Sequence, residues 1–396
     1  MSLKNGMRNF LKKTNRAILP YKLTLKQDGG MSFKLKYLHY AKLATRKGVV
    51  DFRIDRIAGE YAYDWFNVKG VSQEDKEWFC QRGYAPRKVN MYGMTKENYK
   101  DFISSFEFYN YSTYYDGVFL DSLENKLLTY YLLAPFRKYQ PHHFWHIDEK
   151  GIIYPLDVVQ NYCGTVDDIV SLVKEMPIAV KGCYGGHGKG FYLYEYKAND
   201  FYISGEKTDE KSFREHISSL RNYILQEYLI PSKDFLELCG EGAFAVYRMI
   251  VMNNNQDGQK LSAGMIRLGS KNAGLLTDYP GTITCGVTID EGKIFKPLMW
   301  TSETERLLVE KHPDTGKQLE GYAVNNWEEL KNLAIQIARY LPWIGYVTID
   351  IIPSDKGFKI LEINSHGQSW EFEAHFPFNL NKYNRIAFGL PETPQY

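Results

Sequence analysis

The sequence holds no apolar run approaching the ~18–20 residues that span a bilayer, and its first residues lack the apolar stretch of a secretion signal. The chain is therefore expected in the cytoplasm. Its five cysteines, Cys80, Cys163, Cys183, Cys239 and Cys285, are scattered with no C-x-x-C spacing. That excludes a disulfide framework and a cysteine zinc site, and leaves reduced thiols. No segment repeats and none is low in complexity. The two familiar glycine-rich phosphate loops are missing as well, since neither G-x-x-x-x-G-K-[ST] nor G-x-G-x-x-G occurs. Acidic residues are almost absent from positions 1–48, where twelve Lys/Arg face only Asp28. That basic start reads either as a solvated tail or as an attraction to an anionic membrane surface or lipid-linked phosphate. No RNA or DNA motif accompanies it, so nucleic acid is not an expected partner.

What is present is ordinary in bulk. With 396 residues, 44% hydrophobic and 24% charged, the chain can bury a large core divided between two or three domains. Aromatics reach 15%, with 31 tyrosines, which suits broad packed or ligand-stacking surfaces. Residues 1–30 read as poorly ordered or helical, and residues 31–150 as short helical patterns mixed with aromatic clusters. "DSLENKLLTYYLLAPF" reads as one helix with an apolar face. From about residue 151 the texture changes. "GIIYPLD" reads as a hairpin, and "TVDDIVSLVKEM" as a helix opening at Thr165. "PIAVKGCYGGHGKGFYLYEY" gives strand, glycine loop, strand. "SFREHISSLRN" is a helix, and "YILQEYLI" a strand. "AFAVYRMIVMNNN" and "KLSAGMIRLGS" are strands about a turn. Residues 326–341 show the clearest helical period, with Trp327, Leu330, Leu333, Ala334, Ile337, Ala338 and Leu341 on one face. Asn326 stands in the N-cap position and Glu329 in that of a capping box.

The stretch "KGCYGGHGKG", Lys181 to Gly190, has five glycines in ten residues. Such a loop can aim backbone N–H groups at phosphate, or can simply turn a hairpin. A second constellation lies in "IGYVTIDIIPSDKGFKILEINS", a hairpin of two apolar strands. Asp350 ends the first strand on this reading. Glu362 and Asn364, two apart, share one face of the second. A turn near Ser354–Gly357 brings Asp350 beside them. Two carboxylates and an amide oxygen in apolar surroundings suit Mg²⁺; alternatively, Asp350 and Glu362 pair with arginines in a structural network. "PHHFWH" carries His142, His143 and His146, of which His142 and His146 have the i, i+4 spacing of a helical metal pair. No Glu follows as in H-E-x-x-H, so substrate contact or plain packing are the other readings.

The ordered set of strand, Lys181, glycine loop, strand, "QEYL", arginine-bearing strands and D-x11-E-x-N resembles the ATP-grasp superfamily over about residues 120–375. "HPDTG" (His312 to Gly316), "LPWIGYVTIDII" and "LEINSHGQS" resemble more narrowly the sugar-transfer-associated and teichuronopeptide-type ATP-grasp proteins. The resemblance implies an α+β ATP-grasp fold in which two α+β subdomains grip ATP between antiparallel sheets. It would divide the chain into a basic arm (1–30), a mixed, mainly helical region (31–150), a smaller subdomain with the glycine flap (151–228) and a larger one with the Mg²⁺ site (229–396). Residues 1–110 match no motif.

The resemblance also implies roles. Lys181, and upstream Lys126, would meet ATP phosphates, with Gly185, Gly186, His187, Gly188, Lys189 and Gly190 folding over them. Gln226 and Glu227 would bond the adenine edge, backed by Leu229. Asp234, or else Lys233 or Glu237, would meet the ribose, and Asn272 would assist at the phosphates. Arg248 and Arg267 would stabilise the transferring phosphoryl group or clamp a substrate carboxylate; each could instead form a surface ion pair. Asp350, Glu362 and Asn364 would hold Mg²⁺. His366, Gln368 and Trp370 follow the hairpin on the acceptor side.

The implied activity is an ATP-dependent carboxylate–amine ligase working through an acylphosphate. The narrower family name points to bacterial cell-surface polysaccharide or glycopeptide synthesis, with small sugar-linked or lipid-linked substrates and peripheral docking at the inner membrane face. A kinase acting on a hydroxyl and a non-catalytic ATP-binding scaffold are the alternatives. Asp350→Asn and Glu362→Gln are each expected to abolish Mg-dependent turnover and leave the fold intact.

Overall fold

The computed structural model describes residues 31–115, 120–157, 164–184, 190–254, 258–273, 280–302, 304–364, 369–391 and 393. The expected basic arm, 1–30, and the glycine-loop residues 185–189 lie outside them. Two antiparallel sheets carry the molecule. The first comprises β1 (His143–Ile147), β2 (Ile153–Pro155), β3 (Ile178–Gly182), β4 (Phe191–Lys197), β5 (Asp200–Ile203), β6 (Glu206–Thr208) and β7 (Tyr223–Glu227), in the order β2-β1-β7-β3-β4-β5-β6. The second comprises β8 (Ala245–Asn254), β9 (Gly258–Leu268), β10 (Ile283–Val287), β11 (Ile294–Trp300), β12 (Arg306–Leu308), β13 (Tyr346–Ser354) and β14 (Gly357–Asn364), in the order β12-β11-β10-β9-β8-β13-β14.

Each sheet buries an apolar face under helices. On the first sheet, Ile169, Val170 and Val173 of Val166–Glu175 and Phe213 and Ile217 of Glu210–Ser219 pack with Ile178, Val180 and Leu225. Thr165 caps the former helix in a reciprocal box with Asp168. On the second sheet the helix Trp327–Tyr340 covers one face with the predicted apolar stripe. Its capping box does not form. Asn326 adopts a left-handed backbone (φ 56°) with no side-chain cap, whereas an N-cap needs an extended one.

The Trp327 ring occupies space that two glycines leave open: a Cβ would sit 2.6 Å from it at Gly264 and 2.4 Å at Gly292. Gly292 also has φ +68°, so its turn disfavours any side chain. Trp327→Ala empties this space and strands the Ile289 carbonyl, which accepts from its indole N–H at 2.8 Å. A loss of about 3–5 kcal/mol is expected on urea unfolding.

The other face of the second sheet meets segments that precede the first strand and follow the last. Ile250, Met252, Ala263 and Met265 pack with Ile103, Phe108, Phe372, Phe378 and Phe388. Residues 31–110, which carried no motif, fold as helices around the aromatic core of Phe33, Tyr37, Tyr40, Tyr61 and Phe106. Two of these helices, Met31–Arg46 and Asp51–Asn67, are long rather than short. A third departure concerns 121–136, predicted as one helix. Asn125 interrupts it by accepting from the N–H groups of Leu127 and Leu128 at 2.9 and 3.1 Å. The result is Leu120–Glu124, Lys126–Leu132 and a tighter turn Ala134–Tyr139.

Candidate functional site

The hairpin β13–β14 is the frame of the site. A tight turn at Asp355–Lys356 sets Asp350 opposite Glu362 and Thr348 opposite Asn364. Asp350 lies within β13, not at its end, because the strand runs on to Ser354. A bulge follows the Asp350–Glu362 pair, a common way to re-aim a side chain beside a site. Asp350, Glu362 and Asn364 thus share one sheet face, and Asn364 Nδ2 donates to Glu362 Oε1 at 3.2 Å. Burial, then the neighbouring Asp350 charge, push the Glu362 carboxyl up from its usual range. Burial would raise Asp350 too, but Arg248 outweighs it and holds that carboxyl down.

The arginines explain this. Arg248 on β8 faces Asp350 across the ladder. Its Nε and Nη2 bond both Asp350 oxygens at 2.8 and 2.7 Å, and its Nη1 lies 3.3 Å from Glu371 Oε2. Arg267, at the end of β9, donates to the same Glu371 oxygen. Neither arginine makes a surface pair: Arg267, Asp350 and Glu371 are buried, and the Arg248 side chain is 12% exposed. Two guanidinium groups therefore converge on one carboxylate beside the Asp350–Glu362 pair. Glu371 had no signal in the sequence, since nothing there tells a buried glutamate from a solvated one.

Lys181, on β3 of the first sheet, belongs to the same site electrostatically. Burial pulls its ammonium down to about 8, against the attraction of Glu362, and Lys126 adds repulsion. Lys126 opens the short helix created by Asn125, and its N–H donates to the Cys183 carbonyl at 2.9 Å. The cleft between the sheets is lined by Lys126, Tyr130, Gln140, Gln226, Glu362 and Asn364, among others. Gly190 closes the base of the glycine loop, its carbonyl accepting from Gly182 N–H at 3.3 Å. Gly185, Gly186, His187, Gly188 and Lys189 lie outside the described residues, as do His366 and Gln368; Trp370 belongs to the helix Ser369–Glu373.

Several sequence-predicted residues are elsewhere engaged. Glu227 is buried, and its carboxylate accepts from His142 N–H at 2.9 Å and from Lys356 Nζ at 2.6 Å. Burial would raise it, but these bonds hold it below its usual range. Its side chain joins the two sheets. Leu229 is buried but does not line the cleft, nor do Asp234, Lys233 or Glu237. Asp234 accepts from Asn325 Nδ2 at 2.5 Å, and Lys233 lies 3.7 Å from Glu237.

Asn272 is exposed on a turn after β9. "HPDTG" fixes that turn: His312 Nε2 lies 3.0 Å from the Gly269 carbonyl and Asp314 accepts from Lys271 N–H at 2.8 Å. The histidines of "PHHFWH" are on or beside β1, not on a helix, so i, i+4 no longer brings His142 and His146 together. His142 lies 3.5 Å from Asp157, and His146 stacks on Tyr154. His143 faces the cleft against Tyr130, and burial pushes it down to about 4, so it is neutral at pH 7.

Among the described residues no three His, Cys, Asp or Glu gather as a metal site. An ion at the hairpin would therefore draw on Glu362, the Asn364 amide oxygen and Asp350, together with groups of a bound substrate. The donor set fits Mg²⁺, and a cation would relieve the repulsion that now raises Glu362. No helix among the described residues is long and apolar enough to cross a membrane.

Solved structures with a similar chain course include D-alanine–D-alanine ligase of Bacillus anthracis, at 10% identity over 69% of this chain and 67% of that one, TM-score 0.35. The Helicobacter pylori D-alanine–D-alanine ligase aligns at 14% identity over 68% and 61%, TM-score 0.36. N5-carboxyaminoimidazole ribonucleotide synthetase of Thermotoga maritima aligns at 10% over 68% and 50%, TM-score 0.32. The alignments thus span half to two thirds of those chains. No curated protein matches the sequence. The family described as sugar-transfer associated ATP-grasp matches residues 106–374, which take in the cleft, both arginines, the hairpin and Glu371. By that match over most of its length, the chain belongs to the sugar-transfer associated ATP-grasp family.

Proposed function

We propose that the protein is an ATP-dependent carboxylate–amine ligase that transfers the γ-phosphoryl group of ATP to a substrate carboxylate and then forms an amide. The observation that carries this reading is the convergence of Arg248 and Arg267 on one carboxylate, that of Glu371, beside Asp350 and Glu362. A site that already holds a carboxylate between two guanidinium groups suits a carboxylate substrate. The carboxylate oxygen attacks the γ-phosphorus and ADP leaves. The amine then attacks the acyl carbon, phosphate departs, and the amine nitrogen loses a proton. The chain's part is alignment, charge neutralisation by Lys126, Lys181 and the arginines, and exclusion of water. Mg²⁺, held by Glu362, Asn364 and Asp350, would supply further charge neutralisation at the phosphates. We place the reaction in bacterial cell-surface polysaccharide or glycopeptide assembly, on small sugar-linked or lipid-linked substrates, with residues 1–30 docking at the anionic inner membrane face. Deleting residues 1–30 is then expected to weaken binding to anionic vesicles, and unchanged binding removes the docking role.

The test is ADP release from MgATP with pooled amino acids and uronic acids, and hydroxylamine as amine trap. Hydroxamate formed with ADP supports the ligase; ADP without hydroxamate moves the assignment to a kinase. Lys181 adds a pH signature. In the free site its ammonium titrates at about 8, while a bound phosphate keeps it charged. Above about pH 8 binding must restore a proton, so MgATP affinity is expected to fall by up to ~10-fold per pH unit toward the ordinary lysine range. Calorimetric titration across pH 7–10 checks this, and Lys181→Arg, charged throughout, is expected to flatten the profile.

A further inference from the structure

The polar face that begins at Glu362 does not stop at the arginine pair. Directly opposed residues of antiparallel strands point the same way, as do residues two apart on one strand. Glu362, Asp350 and Arg248 are opposed in turn. Met265 faces Arg248, and Arg267 is two on from it. Arg267 faces Thr284, which faces Leu298. Trp300 is two on from Leu298 and faces Arg306 on β12. A single face therefore runs across the whole sheet, with acids at one edge and Arg306 at the other. Arg306 lies three strand spacings beyond Arg267, about 14 Å at the backbone.

Three polar atoms near Arg306 are buried without a hydrogen-bond partner: Tyr92 Oη, Thr282 Oγ1 and His375 Nδ1. Their residues are 6%, 0% and 7% exposed. Thr282 is tied to Trp300 by the bond from Trp300 N–H to its carbonyl, 2.9 Å, and the Arg306 guanidinium stacks 4.1 Å from the Trp300 ring. Tyr92 and His375 both fall within the electrostatic reach of Arg306, with the buried Glu373 acting more strongly on Tyr92 and Glu371 acting on Arg306. Tyr92 comes from the motif-free N-terminal helices, packed with Leu298 and Ala374. His375 also sits 3.3 Å from Thr284 Oγ1 through its other nitrogen. A buried polar atom without a partner is destabilising, because it has given up water and gained nothing. Three gathered beside a guanidinium are the signature of a site completed by a ligand. The tyrosine and threonine hydroxyls can donate, as can His375 Nδ1 in the tautomer whose Nε2 accepts from Thr284 Oγ1, and with a guanidinium they match an oxyanion.

We propose that Arg306, Tyr92, Thr282 and His375 form a second anion subsite, which takes a carboxylate or phosphate group of the substrate remote from its reacting end. Only the word substrate rests on the ligase reading; the anion site stands on its own geometry. It also gives residues 31–110 a function, since Tyr92 would make them a wall of the site and a determinant of which substrate is accepted.

The experiment is calorimetric titration of inorganic phosphate and, separately, of succinate into the full chain with the nucleotide cleft saturated by MgADP. Wild-type protein is expected to bind at least one of the two; preference for phosphate or for succinate identifies the group. Tyr92→Phe and Thr282→Val remove one hydroxyl each and are expected to weaken binding ~5–10-fold, and Arg306→Met ~30-fold or more. Without anion, Tyr92→Phe and Thr282→Val are expected to raise the melting temperature, because each deletes an unsatisfied buried hydroxyl. A merely structural hydroxyl predicts the opposite sign. The proposal is overturned if neither anion binds, or if the three variants bind as wild type does. Nucleotide binding is read separately with MgADP, so the ligase reading and this one fail independently.

Discussion

Glu362→Gln is expected to leave a folded protein that no longer turns over ATP. Burial and then the Asp350 charge both push the Glu362 carboxyl up in the free site, so its charge is held there at a cost, and a glutamine amide keeps its size without that charge. Unfolding midpoints should therefore change little. Under the proposed function the carboxylate charge that would neutralise and orient the nucleotide's metal is lost, however, and charge stabilisation of this kind contributes several kcal/mol to the barrier. A fall of ~10²–10⁴ in the rate of ADP release is expected. Retained turnover would remove Glu362 from the reaction. Asp350→Asn is expected to behave differently and to cost stability as well as turnover. Its carboxylate holds both Arg248 donors, so the amide leaves a buried guanidinium poorly paired and the fold loses stability with the activity.

Arg248→Met carries the second large effect. It takes the partner from Asp350 and one of two guanidinium contacts from Glu371, both buried. Removing one member of a buried pair typically costs ~3–5 kcal/mol, because the remaining charges are not resolvated. Urea unfolding should show that loss, and ADP release should fall with it. Replacing Arg248 and Asp350 together by apolar residues is expected to recover much of the stability and none of the turnover. That double variant separates the fold's need for the pair from the chemistry's need. Full recovery of turnover would assign the network to structure alone.

The hairpin was legible because its requirement is local. Two carboxylates and an amide at D-x11-E-x-N, with a turn between apolar strands, fix their own register, and the observed pairing of Asp350 with Glu362 follows. The helix Trp327–Tyr340 was legible for the same reason, since seven apolar residues at helical spacing need one sheet face. What was not legible are the cases where distance along the chain hides a partner. Glu371 meets Arg248 across 123 positions and Glu227 meets Lys356 across 129. Asn125 was hidden differently: its cap competes with the helix that the apolar pattern around it favours. The N-terminal helices hold no motif because their contribution to the face near Arg306 is packing and one hydroxyl, which no spacing announces.

The link between Glu227 and Lys356 has a kinetic consequence. Glu227 ends β7 of one sheet, and Lys356 sits in the turn of the hairpin in the other. Their 2.6 Å bond is a clasp between the two sheets, and under the proposed function it would have to loosen for nucleotide to enter and leave. One partner is deeply buried and the other half-exposed, so salt reaches the clasp from one side only and loosens it by degrees. Product departure then carries a rhythm set by ionic strength. Stopped-flow displacement of fluorescent ADP is expected to accelerate as salt rises in the wild type. In Lys356→Gln it is expected to be fast and salt-independent; identical rates in the two proteins would leave the clasp no part in turnover.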